Sequence, residues 1–595
     1  VTSKHNQFLK PAMHLRASRW MPVVIFFLMT QTSVFSQTSV VVPEAVLQAQ
    51  QHRIETVERV ASSVVAIFAP GGQGGGSGVL ISSDGFAVTN FHVVQGLGGF
   101  MKCGLNDGRL YDAVLVGIDP TGDVAVVKLL GRDDFPHAEI GDSDTVKMGD
   151  WTFAMGNPFL LADDFQPTVT YGMVSGTHRY QYPAGTFLEY TDCIQVDTSI
   201  NAGNSGGPLF NINGEVIGIN GRISVEKRGK VNVGAGYSIS INQVMHFLDH
   251  LKSGRIVDHA TLGATVTSTS DGAVVVSNIL ETSEAYRRGL RQGDELISFA
   301  GRPVRSVNQY KNILGIYPKN WQVPLSFQRD GERFDIVVQL AGLHRRAELA
   351  GGPTPSAPEP DEKEKPKIPI PIPHMGKKKE PDIPKEYLKL YEEKNGYANY
   401  YFNQIAQDRF LETIQRWGDF SSKPRMWALD ATFKDGAPLQ IRMQPEAIAA
   451  KFEQGFAVLE LGGEFTAEPM DSGGLLASLE QLKQLLIDPK DYFTEFYYVG
   501  SEPLDGQGER VDVLVTTKGL LISRWYFQQE SGALIGVDTV IDEEHDSCKI
   551  RFGEMRDLDG VKFPSRLTVR SGGQLWGELD VTSLKFLDPD SKGSP

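Results

Sequence analysis

Gly203-Asn204-Ser205-Gly206-Gly207-Pro208-Leu209 sets one hydroxyl in a turn dense with glycine. Without Cβ atoms around that hydroxyl, backbone N–H groups can converge on a point beside Ser205. Ser205 is therefore a candidate nucleophile, and the N–H groups of Gly203 and Ser205 are candidate donors to an oxyanion.

The run also reads as G-x-S-x-G, the pattern of the α/β-hydrolase elbow. That elbow needs a strand–turn–helix setting and the chain order serine, acid, histidine. Here Pro208 follows closely, and Leu209-Phe210-Asn211-Ile212-Asn213-Gly214-Glu215-Val216-Ile217 predicts a hairpin instead. The better partners also lie upstream. The strand-like Gly85-Phe86-Ala87-Val88-Thr89 leads into Asn90-Phe91-His92-Val93-Val94, which puts His92 just past a strand end. Histidine suits the general base, because its ordinary pKa of about 6.5 lets it take and return a proton near neutrality. Asp123 opens Asp123-Val124-Ala125-Val126-Val127-Lys128-Leu129, and its expected task is to fix the imidazole tautomer and stabilise the imidazolium. One histidine or one aspartate alone reads as a structural or solvated group. The ordered set His92, Asp123, Ser205 points to acyl transfer.

Outward from this set, residues 56–255 read as short strands punctuated by Asp84-Gly85 and Asn213-Gly214, the pattern of an all-β unit closed by a helix over Asn242 to Ser253. A second unit at 258–342 reads as strands around one helix-like segment, Ser283 to Leu290. Residues 343–385 are rich in proline, lysine and glutamate, too polar to bury a core, and read as a spacer. Residues 386–590 open with helical periodicity and continue as antiparallel strands with turns at Ser531-Gly532, Asp559-Gly560 and Gly572-Gly573.

Thr89-Asn90-Phe91-His92-Val93-Val94, Gly122-Asp123-Val124-Ala125-Val126 and Asn201-Ala202-Gly203-Asn204-Ser205-Gly206-Gly207-Pro208-Leu209 resemble the trypsin-like peptidases, and among them the HtrA (Deg) family. Met155-Gly156-Asn157-Pro158-Phe159 and Gly234-Ala235-Gly236-Tyr237-Ser238-Ile239 resemble further HtrA segments. The resemblance implies a mainly β, multidomain chain: a trypsin-like double β-barrel, then an α+β PDZ domain. It implies a serine endopeptidase acting on misfolded or damaged proteins, a trimer, and Ile200 in the wall of the primary specificity pocket. It also implies regulation by loop ordering, since Asn204 stands where many digestive relatives carry an aspartate that needs a cationic partner. Thr261-Leu262-Gly263-Ala264 and Ala285-Tyr286-Arg287-Arg288-Gly289-Leu290 resemble an HtrA-type PDZ domain. The first of these is the candidate loop for capturing a chain-terminal carboxylate, with the terminus added as a strand. The last unit resembles LolA-like lipoprotein carriers, α+β folds with a curved antiparallel sheet. That implies an apolar lipid or lipoprotein ligand, and with it a rival reading: a chaperone-like or lipid-binding protein in which proteolysis is secondary.

The 595 residues require several cores. A formal net charge of −15 leaves no basic footprint, which argues against a nucleic-acid partner. Lys4, Lys10, Arg16 and Arg19 precede the apolar Val23-Val24-Ile25-Phe26-Phe27-Leu28-Met29. With small residues following, 1–36 reads as an export signal, cleavable before Gln37 or retained as an anchor, and 37–55 as an N-terminal segment, so a periplasmic or secreted protein is expected. No cofactor motif is read. His246 and His250 have metal-like i, i+4 spacing but no third ligand, so they read as a solvated helix face. Cys103, Cys193 and Cys548 stand far apart and read as small buried side chains.

Overall fold

The computed structural model describes residues 42–69, 75–157, 164–181, 188–201, 203–225, 232–349, 384–542 and 545–588. The expected export signal, and 350–383 of the expected spacer, lie outside these residues. Helix Glu44–Ala61 opens the described chain, and from Arg53 onward the chain is one compact unit.

Strands Val64–Phe68, Gly75–Leu80, Phe86–Thr89, Val124–Leu129, Leu110–Asp119 and Phe100–Gly104 pair in that order and close into a barrel. Period-two alternation points Val65, Ile67, Leu80, Ala87, Val127 and Leu129 into one apolar cluster. Gly85 turns the second strand into the third at φ 97°, and a Cβ there would lie 2.7 Å from the Leu129 carbonyl oxygen. Only glycine fits.

A second sheet runs Pro208–Asn211, Trp151–Gly156, Thr168–Gln181, Tyr190–Val196, Asn232–Ser240, Glu215–Val225 and Glu139–Ile140. Pro208–Asn211 also pairs with Glu215–Val225, so the first six strands close into a second barrel. This is the hairpin expected after Pro208. Helix Ile241–Lys252 follows, with Val244, Phe247, Leu248 and Leu251 buried. Cys103, Cys193 and Cys548 are buried and free.

The next sheet runs Ala264–Ser268, Val274–Ile279, Glu295–Phe299, Gln322–Arg329 and Glu332–Gln339, which leaves Ala264–Ser268 at an edge. The single expected helix forms only over Glu284–Arg287, and a second helix, Val307–Gly315, joins it. In the last unit, helix Tyr400–Gln415 precedes an eleven-stranded antiparallel sheet from Met426 to Leu587. Helix Leu475–Ile487, which the sequence reading passed over, lies within it with nearly every residue buried. A mainly β, multidomain architecture is thus observed.

Asp119 of the first barrel and His259, just past the second, are both buried and lie 2.8 Å apart, Oδ2 to Nε2. The other ring nitrogen lies 2.7 Å from the Gly315 carbonyl, so both N–H bonds of an imidazolium find acceptors. Burial disfavours the charged ring, but Asp119 and the carbonyl outweigh it and raise the His259 pKa. A raised folded value gives stability that is complete below the unfolded value of about 6.5 and is lost as pH rises through the folded one. Asp119→Asn is therefore expected to lower the melting temperature more at pH 6 than at pH 9. A pH-independent difference in calorimetry contradicts this pairing.

Candidate active site

Asp123 is fully buried, and its φ of 57° is uncommon for a residue with a Cβ. Five hydrogen bonds hold it there. Its carbonyl accepts from the Phe91 N–H at 3.1 Å and from Asn90 Nδ2 at 2.9 Å. Its carboxylate accepts from the His92 N–H at 3.0 Å, from His92 Nδ1 at 2.8 Å and from the Tyr190 hydroxyl. Strand Phe86–Thr89 delivers the short helix Phe91–Val94, so His92 sits on a rigid support with its side chain 42% exposed. With Nδ1–H donated to Asp123, Nε2 is left as the proton acceptor.

Ser205 arrives from the second barrel. Its carbonyl accepts from the Ser77 N–H at 2.9 Å, and the Ser77 hydroxyl donates to the Gly203 carbonyl at 2.6 Å. The same hydroxyl accepts from the Asn157 N–H at 2.9 Å, while the Ser77 carbonyl accepts from the Thr89 hydroxyl at 2.6 Å. Gly206 stands at φ 83° with the Ser77 carbonyl 2.2 Å from where a Cβ would be. Any other residue there would push the Ser205 loop off the first barrel.

The Ser205 hydroxyl donates to the Gly221 carbonyl at 3.3 Å, and among the described residues it has no hydrogen bond to His92. The N–H groups of Gly203 and Ser205 have no backbone acceptor among the described residues, which leaves them available to an oxyanion. Asn204 is fully buried, with neither amide atom hydrogen-bonded among the described residues. An aspartate in that place would be an unpaired buried charge, costing several kcal/mol.

The structure brings His92 and Asp123 into contact and joins the Ser205 loop to their barrel through Ser77. Ile200 is 1% exposed and packs with Val174, Ile194, Val196 and Leu209; a Cβ on Gly236 would come within 2.6 Å of it. In the third sheet's neighbourhood, Thr261 pairs with Ala341 and its hydroxyl accepts from the Gly263 N–H at 3.2 Å. Leu262 is buried, and Gly263 at φ 71° turns the chain into the edge strand that begins at Ala264. A carboxylate captured by the Gly263 N–H would have to displace the Thr261 hydroxyl.

His246 and His250 do not lie on a solvated face, contrary to the sequence reading. His246 stacks on Tyr317 at 4.9 Å and meets the Ile316 carbonyl at 2.9 Å. His250 is buried 3.1 Å from the Ser501 carbonyl. Burial pushes their pKa values down to about 4 and about 3. Among the described residues no cluster of His, Cys, Asp and Glu could hold a metal. Sequence reasoning missed Ser77, Thr89 and Tyr190. Ser77 lies inside Gly74-Gly75-Gly76-Ser77-Gly78, where the glycines signal a turn and hide the one hydroxyl that matters.

Residues 76–219 match the trypsin-like peptidase domain model, and 252–328 match the PDZ domain model. The chain carries both domains. It is 38% identical over 277 residues to a probable periplasmic serine endoprotease DegP-like of Marinomonas sp. (strain MWYL1), covering 44% of this chain and 56% of that protein. To the periplasmic serine endoprotease DegP of Escherichia coli (strain K12) it is 35% identical over 297 residues, covering 46% and 60%. The match thus spans a little over half the length of these relatives. The solved HtrA-type protease AlgW with decapeptide covers 49% of this chain and 99% of its own, at 25% identity and a TM-score of 0.39.

A base must be neutral to accept a proton. Burial disfavours the His92 imidazolium, but the hydrogen bond to Asp123 and its charge outweigh burial and raise the His92 pKa above 6.5. The acid limb of kcat/KM on a chromogenic peptide is therefore expected to have its midpoint above about 6.5, with rate falling as pH drops through it. A midpoint below about 6 contradicts His92 as the base.

Proposed function

We propose that this chain is an exported serine endopeptidase of envelope protein quality control, cleaving unfolded or damaged polypeptides. One observation carries the reading: a half-exposed imidazole held through Nδ1 by a buried, fully hydrogen-bonded carboxylate, in a domain that matches the trypsin-like peptidases. For the reaction the Ser205 hydroxyl leaves the Gly221 carbonyl and turns toward His92. Its oxygen attacks the scissile carbonyl carbon as His92 Nε2 takes the proton, and Asp123 stabilises the resulting imidazolium. The N–H groups of Gly203 and Ser205 receive the oxyanion. As the C–N bond breaks, His92 returns the proton to the leaving amine and an ester remains on Ser205. Water, deprotonated by His92, then hydrolyses that ester and restores the hydroxyl.

The open edge of Ala264–Ser268 supports PDZ binding of a polypeptide terminus as an added strand, with Thr261 to Ala264 at its carboxylate end. Ile200 is proposed to back the specificity pocket from within the second barrel, and assembly is proposed to be trimeric. A periplasmic site follows from the basic-then-apolar leader together with the names of the relatives. A lipid or lipoprotein ligand inside the last sheet is the weaker reading, because helix Leu475–Ile487 occupies that interior.

The purified chain is expected to degrade casein, and Ser205→Ala to abolish this by on the order of 10⁶-fold in kcat. Equal rates for the two proteins exclude the peptidase reading.

A further inference from the structure

Where the PDZ domain and the segment leading into it from helix Ile241–Lys252 meet the last unit lies a cavity of about 530 Å³, within the range of small-molecule sites. Arg255, Lys319 and Arg524 line it, and among the described residues no aspartate or glutamate does. Two of its wall groups have unmet needs. Among the described residues, the buried arginine nitrogens without a hydrogen-bond partner are Arg255 Nη1 and Arg524 Nε, and both belong to this wall.

An arginine head held from water without a full set of acceptors costs free energy, and an anion is the group that relieves it. Arg524 has part of its charge answered by Glu502, to which its Nη2 donates. For Arg255, the described residues provide only the face of the Tyr497 ring, 5.0 Å from its guanidinium carbon. Its backbone bridges to Tyr397, which also lines the cavity. His344 also lines the cavity, with Nδ1 3.0 Å from Asp258 Oδ1.

Beside Asn320, Gln339, Tyr397 and Tyr497, one stretch of the remaining wall is aliphatic. Val515, Ile522 and Val540 come from three adjacent strands of the last sheet, with Ile522 directly opposite Val540 and Val515 opposite Arg524. Cations thus sit beside a strip of aliphatic side chains, of which Ile522 is 42% exposed.

We propose that this junction binds a small amphipathic anion: a carboxylate or phosphate head on Arg255 and Arg524, with an aliphatic tail along Val515, Ile522 and Val540. The site is separate from the peptidase cleft and from the interior of the last sheet. A ligand there touches the PDZ domain and the last unit at once, so it stabilises their packing by mass action.

Titration calorimetry of the full chain with decanoate, decyl phosphate, decanol and inorganic phosphate, each below its micellar range, tests this. Saturable binding at one site per chain is expected for decanoate or decyl phosphate, and whichever binds tighter identifies the head group. Arg255→Met is expected to weaken that binding at least about tenfold, the scale of one charged hydrogen bond. Ile522→Trp, at an exposed position, is expected to block the tail and carries the test should Arg255→Met fail to fold. The proposal is overturned by absence of saturable binding, by equal affinity for decanol or for inorganic phosphate, or by indifference to the substitutions.

Discussion

The hydroxyl of Ser77 is the joint on which the candidate site depends. It belongs to the first barrel, yet it donates to Gly203 and accepts from Asn157, both in the second. Its own N–H and carbonyl engage Ser205 and Thr89. Thr89 is the last residue of the strand that delivers His92, so the candidate base and candidate nucleophile are tied through Ser77 and three of these hydrogen bonds. Ser77, Thr89 and Asn157 are buried, and their bonds matter because the alternative is an unmet polar group away from water. The glycines around Ser205 allow the two backbones to approach closely enough for the joint to form.

The domains beyond the barrels are fixed by similar polar contacts. The Asn312 amide donates to the His178 carbonyl at 2.6 Å and accepts from the Asp192 N–H at 3.0 Å, while Arg302 bonds both Asp192 and Asp144. Trp321 donates to the Ser501 carbonyl beside His250, and Arg510 reaches back to the Met245 carbonyl. Arg288 pairs with Asp546 at 2.6 Å. The last unit thus contacts both the peptidase domain and the PDZ domain. Its contacts explain why His246 and His250 are buried: they are part of a seam between domains, and their neutral rings pack there without a desolvated charge.

Much of this was legible from residue order. His92, Asp123 and Ser205 stood in motifs whose local strands and turns formed, and Asp84-Gly85 and Asn213-Gly214 turn where their φ preferences require. What escaped the reading shares one cause: its meaning lies in partners distant along the chain. Tyr190 meets Asp123 across 67 positions, and the Ser77 hydroxyl meets Gly203 across 126. His250 meets Ser501 across 251. Helix Leu475–Ile487 was hidden for a different reason. It is enclosed on all sides, so Ser478, Glu480, Gln481 and Lys483 are buried with the leucines and no polar face marks it.

The joint can be tested at its centre. Ser77→Ala removes the hydroxyl that donates to the Gly203 carbonyl and accepts from the Asn157 N–H, at about 1–3 kcal/mol for a buried carbonyl left unmet. The rate at which a fluorophosphonate labels Ser205 reports directly on how well the candidate nucleophile, base and oxyanion donors are aligned. That rate is expected to fall about tenfold or more in the folded variant, in step with casein hydrolysis. An unchanged labelling rate in a folded Ser77→Ala protein would contradict the claim that this hydroxyl joins the two halves of the site.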